Sequence, residues 1–143
     1  MKIAVASDHG GFALKEEIKK YLISAGIEVI DLGTDSEESV DYPIYGKNCA
    51  EAVMSGKAEK GVVCCGTGIG ISIAANKVKG IRCALCTDPQ MAEMTKKHND
   101  ANMLALGGRT VTPDNAIEIL KAWLNAEFEG GRHSRRIDML NGM

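Results

Sequence analysis

The segment Val62–Ser72 constrains the fold of this chain more than any other part of its sequence. A short apolar run ends at Cys65, glycine follows at every second position, and a helix-compatible run extends over residues 71–78. This order predicts a buried strand, a tight loop and a helix whose N-terminus faces the loop. Backbone N–H groups and the helix dipole at such a junction favour a bound anion, and they favour the thiolate form of a nearby cysteine. The junction therefore suggests a site that holds an anion and moves a proton or makes a bond.

Strand-like and helix-like segments alternate along the rest of the chain. The strand-like segments are 2–6, 28–32, 61–65, 81–86 and 103–106. The helix-like segments are 11–25, 44–55, 71–78, 89–98, 112–125 and 132–140. Such alternation predicts an α/β fold in which helices cover both faces of a parallel sheet. The length of 143 residues fits a single domain over 1–143.

Composition argues against several classes of function. The net charge of −2 gives no broad basic surface for nucleic acid. No apolar run reaches the roughly 18 residues of a membrane span, and residues 1–7 are too short for the core of a signal peptide. We expect a cytoplasmic protein whose five cysteines are reduced thiols.

Cys83 and Cys86 form a C-x-x-C pair, a spacing that metal sites and thiol redox proteins share. Both fall on one predicted strand, where residues three apart face opposite sides of the sheet. This argues for packing in the core, with a thiol redox protein as an alternative function. Cys64 and Cys65 also face opposite sides, so only one of them can reach a ligand.

Polar side chains follow three of the predicted strands at their carboxyl ends. Asp8 and His9 follow the first strand, Cys65 ends the third, and Arg109 follows the fifth. In open parallel sheets, ligands bind beyond these ends. We therefore expect a carboxylate, an imidazole, a thiol and a guanidinium to meet at one rim.

The glycine loop matches none of three common phosphate-binding loops. A Walker A loop needs a lysine before its serine or threonine, and none is present. A dinucleotide fingerprint needs glycine where Ile71 stands, although Asp88 lies near the place of the ribose-binding acid. A nucleotide-binding module therefore remains an alternative. A cysteine phosphatase loop would need arginine at this same position 71.

Five motifs lie in order over nearly the whole chain: Ser7–Gly11, Asp41–Pro43, Cys65–Ser72 with Ala74–Lys77, His98–Asn102 and Glu129–His133. Together they resemble ribose-5-phosphate isomerase type B, a family similar to the isomerases of allose 6-phosphate and galactose 6-phosphate. The resemblance implies a Rossmann-like three-layer α/β/α sandwich with a five-stranded parallel sheet. It also implies a homodimer, or a dimer of such dimers, and no metal, nucleotide or other cofactor.

The resemblance also assigns roles to residues at its motif positions. It implies that Cys65 is the catalytic base and that His98 opens the sugar ring. The implied ligand-binding residues are Asp8, His9, Gly66, Thr67, Gly68, Ile69, Gly70, Asn99, Arg109, Arg132 and Arg136. One branch of the family has a glutamate base where this chain has Ile71, so the resemblance is to the cysteine branch.

The chemistry of aldose–ketose isomerisation suits these residue types. A proton moves between neighbouring carbons through an enediolate, which needs a base and donors for the developing oxyanion. Cys65 can supply the base, and the Thr67 hydroxyl and the loop N–H groups can supply the donors. Arg132 and Arg136 are four residues apart, so a helix places both on one face, where they suit a phosphate dianion. His9 can add a third phosphate contact.

His98 poses a geometric problem. It ends a helix that runs back toward the amino ends of the strands, whereas Cys65 lies at their carboxyl ends. We therefore hypothesise that His98 and Asn99 reach the active site of the partner subunit, and that the basic segment 132–141 packs there. The predicted function is the interconversion of ribose 5-phosphate and ribulose 5-phosphate without a metal. An isomerase of a six-carbon sugar phosphate is the nearest alternative.

Overall fold

Five parallel strands form one sheet at the centre of the computed structural model, which describes residues 1–143. The strands are β1 (Lys2–Ser7), β2 (Glu28–Asp31), β3 (Lys60–Cys65), β4 (Cys83–Leu85) and β5 (Met103–Gly107). Their order across the sheet is β2-β1-β3-β5-β4, and every neighbouring pair is parallel. The predicted five-stranded parallel sheet is therefore confirmed, with β1, β3 and β5 at its centre.

Five helices cover the two faces of this sheet, and a sixth packs against one of them. They are α1 (Phe12–Ser24), α2 (Tyr42–Met54), α3 (Ile69–Asn76), α4 (Pro89–Asn99), α5 (Pro113–Asn125) and α6 (Arg132–Asn141). On one face, side chains of α1, α4 and α5, including Ile18 and Trp123, pack on Ile3 and Val5. On the other face, α2 and α3 pack on alternate strand residues such as Ala4. The predicted three-layer α/β/α sandwich is confirmed.

Two helices and one strand start two residues away from their predicted positions, whereas the other elements differ by no more than one residue at either end. Helix α2 begins at Tyr42 and not at residue 44, because Pro43 is tolerated in a first turn whose N–H groups lack partners. Helix α3 begins directly after the left-handed Gly68, two residues before the predicted start. Strand β4 has three residues instead of the predicted six, since it is an edge strand. The Asn76 side chain ends α3 and bonds both the N–H and the carbonyl of Cys83 on that edge.

The C-x-x-C pair does not converge. Cys83 packs against the core beneath α2 and α3, whereas Cys86 is buried in the core on the opposite face of the sheet. Cys64 and Cys65 are divided between the two cores in the same way. Both predictions of opposite-facing cysteines are confirmed, and all five cysteines are free thiols.

The helices of the chain are too short or too polar to cross a membrane.

Gly11 marks a close approach of the chain entering α1 to the end of β3. A Cβ added at Gly11 would overlap the carbonyl group of Cys64, which is backbone and cannot turn aside. We expect Gly11→Ala to lower the free energy of unfolding by about 1–3 kcal/mol, as overpacking in cores does. Urea denaturation would measure this change. Gly142→Ala is the matched control, because its Cβ would meet nothing closer than 3.6 Å, and equal midpoints for the two variants would contradict the prediction.

Candidate active site

The loops after β1, β3 and β5 are hydrogen-bonded to one another at the carboxyl edge of the sheet. The Asp8 N–H donates to the Cys64 carbonyl at 3.2 Å. The Gly108 N–H donates to the Cys65 carbonyl at 2.8 Å, and the Arg109 N–H donates to the Gly66 carbonyl at 2.9 Å. A carboxylate, an imidazole, a thiol and a guanidinium were predicted to meet at one rim. The three loops that carry them are joined by these hydrogen bonds.

Cys65 ends β3 with its side chain 5% exposed and its sulfur turned into the glycine loop. The Gly68 N–H donates to Sγ at 3.1 Å, a hydrogen bond that stabilises negative charge on sulfur. Gly68 makes this bond with a left-handed φ of 81°. A side chain there would be strained, and its Cβ would lie 2.6 Å from Cδ1 of Leu85 and 2.9 Å from the Leu106 backbone. Glycine is therefore the residue that can adopt this φ at position 68 without these close contacts.

The other thiols are poor candidates for a base. Burial raises the pKa of Cys49 to about 12 and that of Cys86 to about 11. Burial also raises the pKa of Cys64 and Cys83 well above the ordinary thiol range. All four therefore stay protonated at neutral pH. Cys65 is the cysteine that lies at the carboxyl edge with a loop amide on its sulfur.

Donors for an oxyanion lie beside the sulfur. Thr67 Oγ1 accepts a hydrogen bond from the Ile69 N–H at 3.2 Å, which leaves the hydroxyl proton of Thr67 for a ligand. Helix α3 begins at Ile69, and first-turn amides such as that of Gly70 lack intrahelical acceptors. The loop thus surrounds the thiol with groups that stabilise developing negative charge.

Arg109, Asp8 and His9 complete this edge. A Cβ on Gly66 would lie 3.0 Å from Nη1 of Arg109, so the guanidinium rests directly on the start of the glycine loop. The Asp8 carboxylate is buried and accepts from the Gly11 N–H at 3.1 Å, which caps a short 3₁₀ turn. His9 Nδ1 accepts from the Val40 N–H at 3.1 Å, which leaves Nε2 to carry the ring proton.

Two contacts at this edge escape sequence reasoning. Tyr42 could equally have been a core residue, but its ring lies over the glycine loop, 2.7 Å from where a Cβ of Gly70 would be, and is 40% exposed. The bond from Val40 to His9 ties the polar loop before α2 to the site. The Asp41–Pro43 motif is a signal for the tyrosine, whereas no local pattern indicates the role of Val40.

His98, Asn99, Arg132 and Arg136 lie at the opposite edge of the sheet. Arg82, which precedes β4, donates from Nε to the Asn99 carbonyl at 3.0 Å at the end of α4. Its Nη1 donates to Asn141 Oδ1 at 2.7 Å at the end of α6. Both helices are thereby fixed to the amino edge of the sheet. The predicted separation of His98 from Cys65 within one chain is confirmed.

His98 is packed against a second histidine. The rings of His98 and His133 are stacked, with centroids 4.5 Å apart and an angle of 14° between their planes. Glu129 Oε1 lies 3.6 Å from Nε2 of His98 and 3.8 Å from Nε2 of His133. Burial, followed by the nearby His98 and Arg132, lowers the pKa of His133, so this ring is neutral at pH 7. No role was predicted for Glu129 or His133, although their four-residue spacing indicates that they meet.

The cavities of the chain lie away from the Cys65 thiol. The largest cavity, of about 580 Å³, lies beside β4 at the amino edge, where Arg82 and Asn99 line it. None of the four cavities is lined by Cys65 or by residues 66–70. In a single chain, the thiol and its loop therefore face an open surface.

A family model described as Ribose/Galactose Isomerase matches residues 3–140. The chain belongs to this family. It is 49% identical over 142 residues to ribose-5-phosphate isomerase B of Escherichia coli, which covers 99% of this chain and 95% of that protein. Family membership confirms both the resemblance drawn from the five motifs and the predicted class of enzyme, an isomerase.

Solved structures of the family agree closely with this fold. Ribose-5-phosphate isomerase B of Clostridium thermocellum superposes with a TM-score of 0.98 at 57% identity, over 99% of this chain and 96% of that one. The enzyme of Mycoplasma genitalium with bound ribulose-5-phosphate superposes with a TM-score of 0.94 at 40% identity, over 99% of this chain and 94% of that one.

Asp88, the residue on which the alternative of a nucleotide-binding module depended, caps α4 by accepting from the Met91 N–H at 2.9 Å.

Proposed function

We propose that this chain interconverts ribose 5-phosphate and ribulose 5-phosphate, with Cys65 as the base. The observation that carries the proposal is the position of the Cys65 sulfur, which meets the Gly68 N–H at 3.1 Å at the head of α3. In a member of the ribose/galactose isomerase family, a thiol among such amide and hydroxyl donors supports a role in proton transfer. Relatives named ribose-5-phosphate isomerase B support the choice of a five-carbon sugar.

The reaction follows from this geometry. The Cys65 thiolate removes the proton from C2 of the open-chain aldose, and the electron pair moves to the carbonyl oxygen to form an enediolate. The Thr67 hydroxyl and the amides of the glycine loop donate to the enediolate oxygens, and each preorganised donor of this kind contributes about 2.7–4 kcal/mol. The hydroxyl proton on O2 then passes to O1, and the same thiol returns the first proton to C1, which leaves a carbonyl at C2 and yields the ketose.

The proposal includes a homodimer in which the partner subunit completes each site. The surface around Cys65 is open in one chain, and apolar side chains beside it are unusually exposed: Ile44, Ile69 and Ile73 are 51–56% accessible. Covering such side chains is a common use of a second copy. The partner's His98 and Asn99 would then face Cys65, with His98 moving the protons that open the sugar ring.

Phosphate recognition is assigned to the basic segment 132–141. Arg132 and Arg136 lie one turn apart on α6, at the same edge as His98, so they would enter the site from the same subunit as that histidine. Two guanidinium groups suit a phosphate dianion. His9, from the other subunit, adds its Nε2–H, and Arg109 lies beside the glycine loop. The enzyme so described acts in the cytoplasm on a free sugar phosphate.

Formation of ribulose 5-phosphate from ribose 5-phosphate, with a chelator present, tests the proposal. We expect turnover with ribose 5-phosphate and much lower kcat/KM with allose 6-phosphate or galactose 6-phosphate. A well-folded protein that prefers a six-carbon substrate would overturn the choice of sugar. A protein inactive on all three, but stabilised against heat by nucleotides, would overturn the isomerase in favour of a binding module.

A further inference from the structure

A cluster of three ligating side chains lies at the amino edge of the sheet and has no place in the proton transfer. The nitrogen atoms of His98 and His133 and a carboxylate oxygen of Glu129 all lie within 4.8 Å of one another. The two imidazoles are stacked, and both Nε2 atoms approach the same oxygen, Oε1 of Glu129. Three potential ligands thus surround one point in space.

Each of the three side chains is carried by an anchored stretch of backbone. His98 stands in the last turn of α4, and the Glu129 N–H donates to the Lys97 carbonyl in that same turn at 3.0 Å. The His133 N–H donates to the Gly130 carbonyl at 3.1 Å as α6 begins. The cluster therefore belongs to the fold and does not result from chance contact between free loops.

Two imidazoles and one carboxylate form a ligand set that borderline divalent ions such as Zn²⁺ and Ni²⁺ accept, with water filling the remaining positions. Imidazole binds a metal ion through a lone pair in the plane of its ring, so the His98 ring must rotate out of its stack on His133 before both rings can share an ion. The His98 and Glu129 side chains are 40% and 51% exposed and are free to make that adjustment.

The local charges allow a cation, although they do not all favour one. Lys97 is paired with Glu93 at 2.6 Å, which removes one competing charge. The positive charges of Arg132 and Arg136 on α6 weaken the binding of a cation by electrostatic repulsion. The expected ion is therefore held reversibly and is not a resident cofactor.

The geometry points to an inhibitory site for a divalent transition-metal ion, formed by His98, Glu129 and His133. The ion occupies the His98 nitrogen that the ring-opening step would otherwise use, so a bound ion prevents the enzyme from accepting the cyclic aldose. The inference that a metal ion binds depends only on the geometry of these three side chains. The inhibition rests on the proposed function, because it requires His98 to act in ring opening.

Calorimetric titration of tag-free, reduced protein with Ni²⁺ tests the site. We expect one saturable site per chain, weakened about 10- to 100-fold or more in His133→Ala, as loss of a group in a metal centre commonly does. Glu129→Gln should weaken the site as well, whereas its matched control Glu51→Gln, which removes a similarly exposed carboxylate from α2 on the other face of the sheet, should not. Cys65→Ala should bind Ni²⁺ as the wild type does, because the ligands include no thiol.

Activity is measured separately, on metal-free enzyme and then with Ni²⁺ added. We expect Ni²⁺ to inhibit turnover of ribose 5-phosphate, and a chelator to restore it. No saturable Ni²⁺ binding, unchanged binding in both His133→Ala and Glu129→Gln, or binding lost in Cys65→Ala would each overturn the inference. Metal-free enzyme that isomerises ribose 5-phosphate but ignores Ni²⁺ would overturn the inference and leave the proposed function intact. Metal-free enzyme without isomerase activity would overturn the proposed function, whatever the titration shows.

Discussion

Replacing Cys65 by alanine is expected to lower kcat for ribose 5-phosphate by about 10²–10⁴-fold, the usual contribution of a positioned general base. The reason is that Sγ is the titratable atom that lies within the glycine loop, where the Gly68 N–H donates to it and further amides at the start of α3 lie close by. Water can bind in the space left by the sulfur, but it is a far weaker base. Initial rates of ribulose 5-phosphate formation by each variant give the comparison.

The chain contains a matched control for this variant in the preceding residue. Cys64 is equally buried, but its side chain packs in the core beneath α1 and α5, on the opposite face of the sheet. Cys64→Ala removes the same atoms and should keep kcat, at some cost in thermal stability. Full activity in Cys65→Ala, or equal loss in both variants, would show that Cys65 is not the base.

Replacing His98 by alanine should affect the two directions of the reaction unequally. Ribose 5-phosphate is mostly a closed furanose, whereas ribulose 5-phosphate cannot close that ring because its 5-hydroxyl carries the phosphate. Ring opening is therefore needed only when the aldose is the substrate. We expect the rate from ribose 5-phosphate to fall by about 100-fold or more, and the rate from ribulose 5-phosphate to change little. Initial rates in each direction measure the difference.

Erythrose 4-phosphate provides an independent check, because its 4-hydroxyl is phosphorylated and it cannot form a furanose. If His98 only opens the ring, His98→Ala should lower the wild-type rate on this open-chain aldose little. Equal loss in both directions, and on the open-chain aldose as well, would mean that His98 acts in the proton transfer or in folding. In that case its proposed role is wrong.

The arrangement of the site was predictable where it depends on chain direction. Cys65 and Arg109 come after parallel strands, so their meeting at one edge follows from strand and helix alternation alone. His98 closes a helix that must run antiparallel to those strands, so its position at the other edge follows from the same alternation. Neither inference needs a single side-chain contact, and this is why both are confirmed.

Contacts that depend on packing between distant segments were not predictable. The ring of Tyr42 lies over Gly70 because α2 and α3 pack side by side, and the Asp41–Pro43 motif singles out the tyrosine without indicating this contact. The bond from Val40 to His9 joins residues 31 apart in sequence. The stacking of His98 on His133 likewise depends on how α6 returns to α4.

Mixing Cys65→Ala subunits with His98→Ala subunits tests most directly the claim that two chains build each active site. In a mixed dimer, one site would pair an intact Cys65 with an intact His98, and the other site would lack both. Random exchange makes half of the dimers mixed, so forward activity should rise to about a quarter of the wild-type value. Confirmed mixed dimers that convert ribose 5-phosphate no faster than the two parent variants would contradict the shared site.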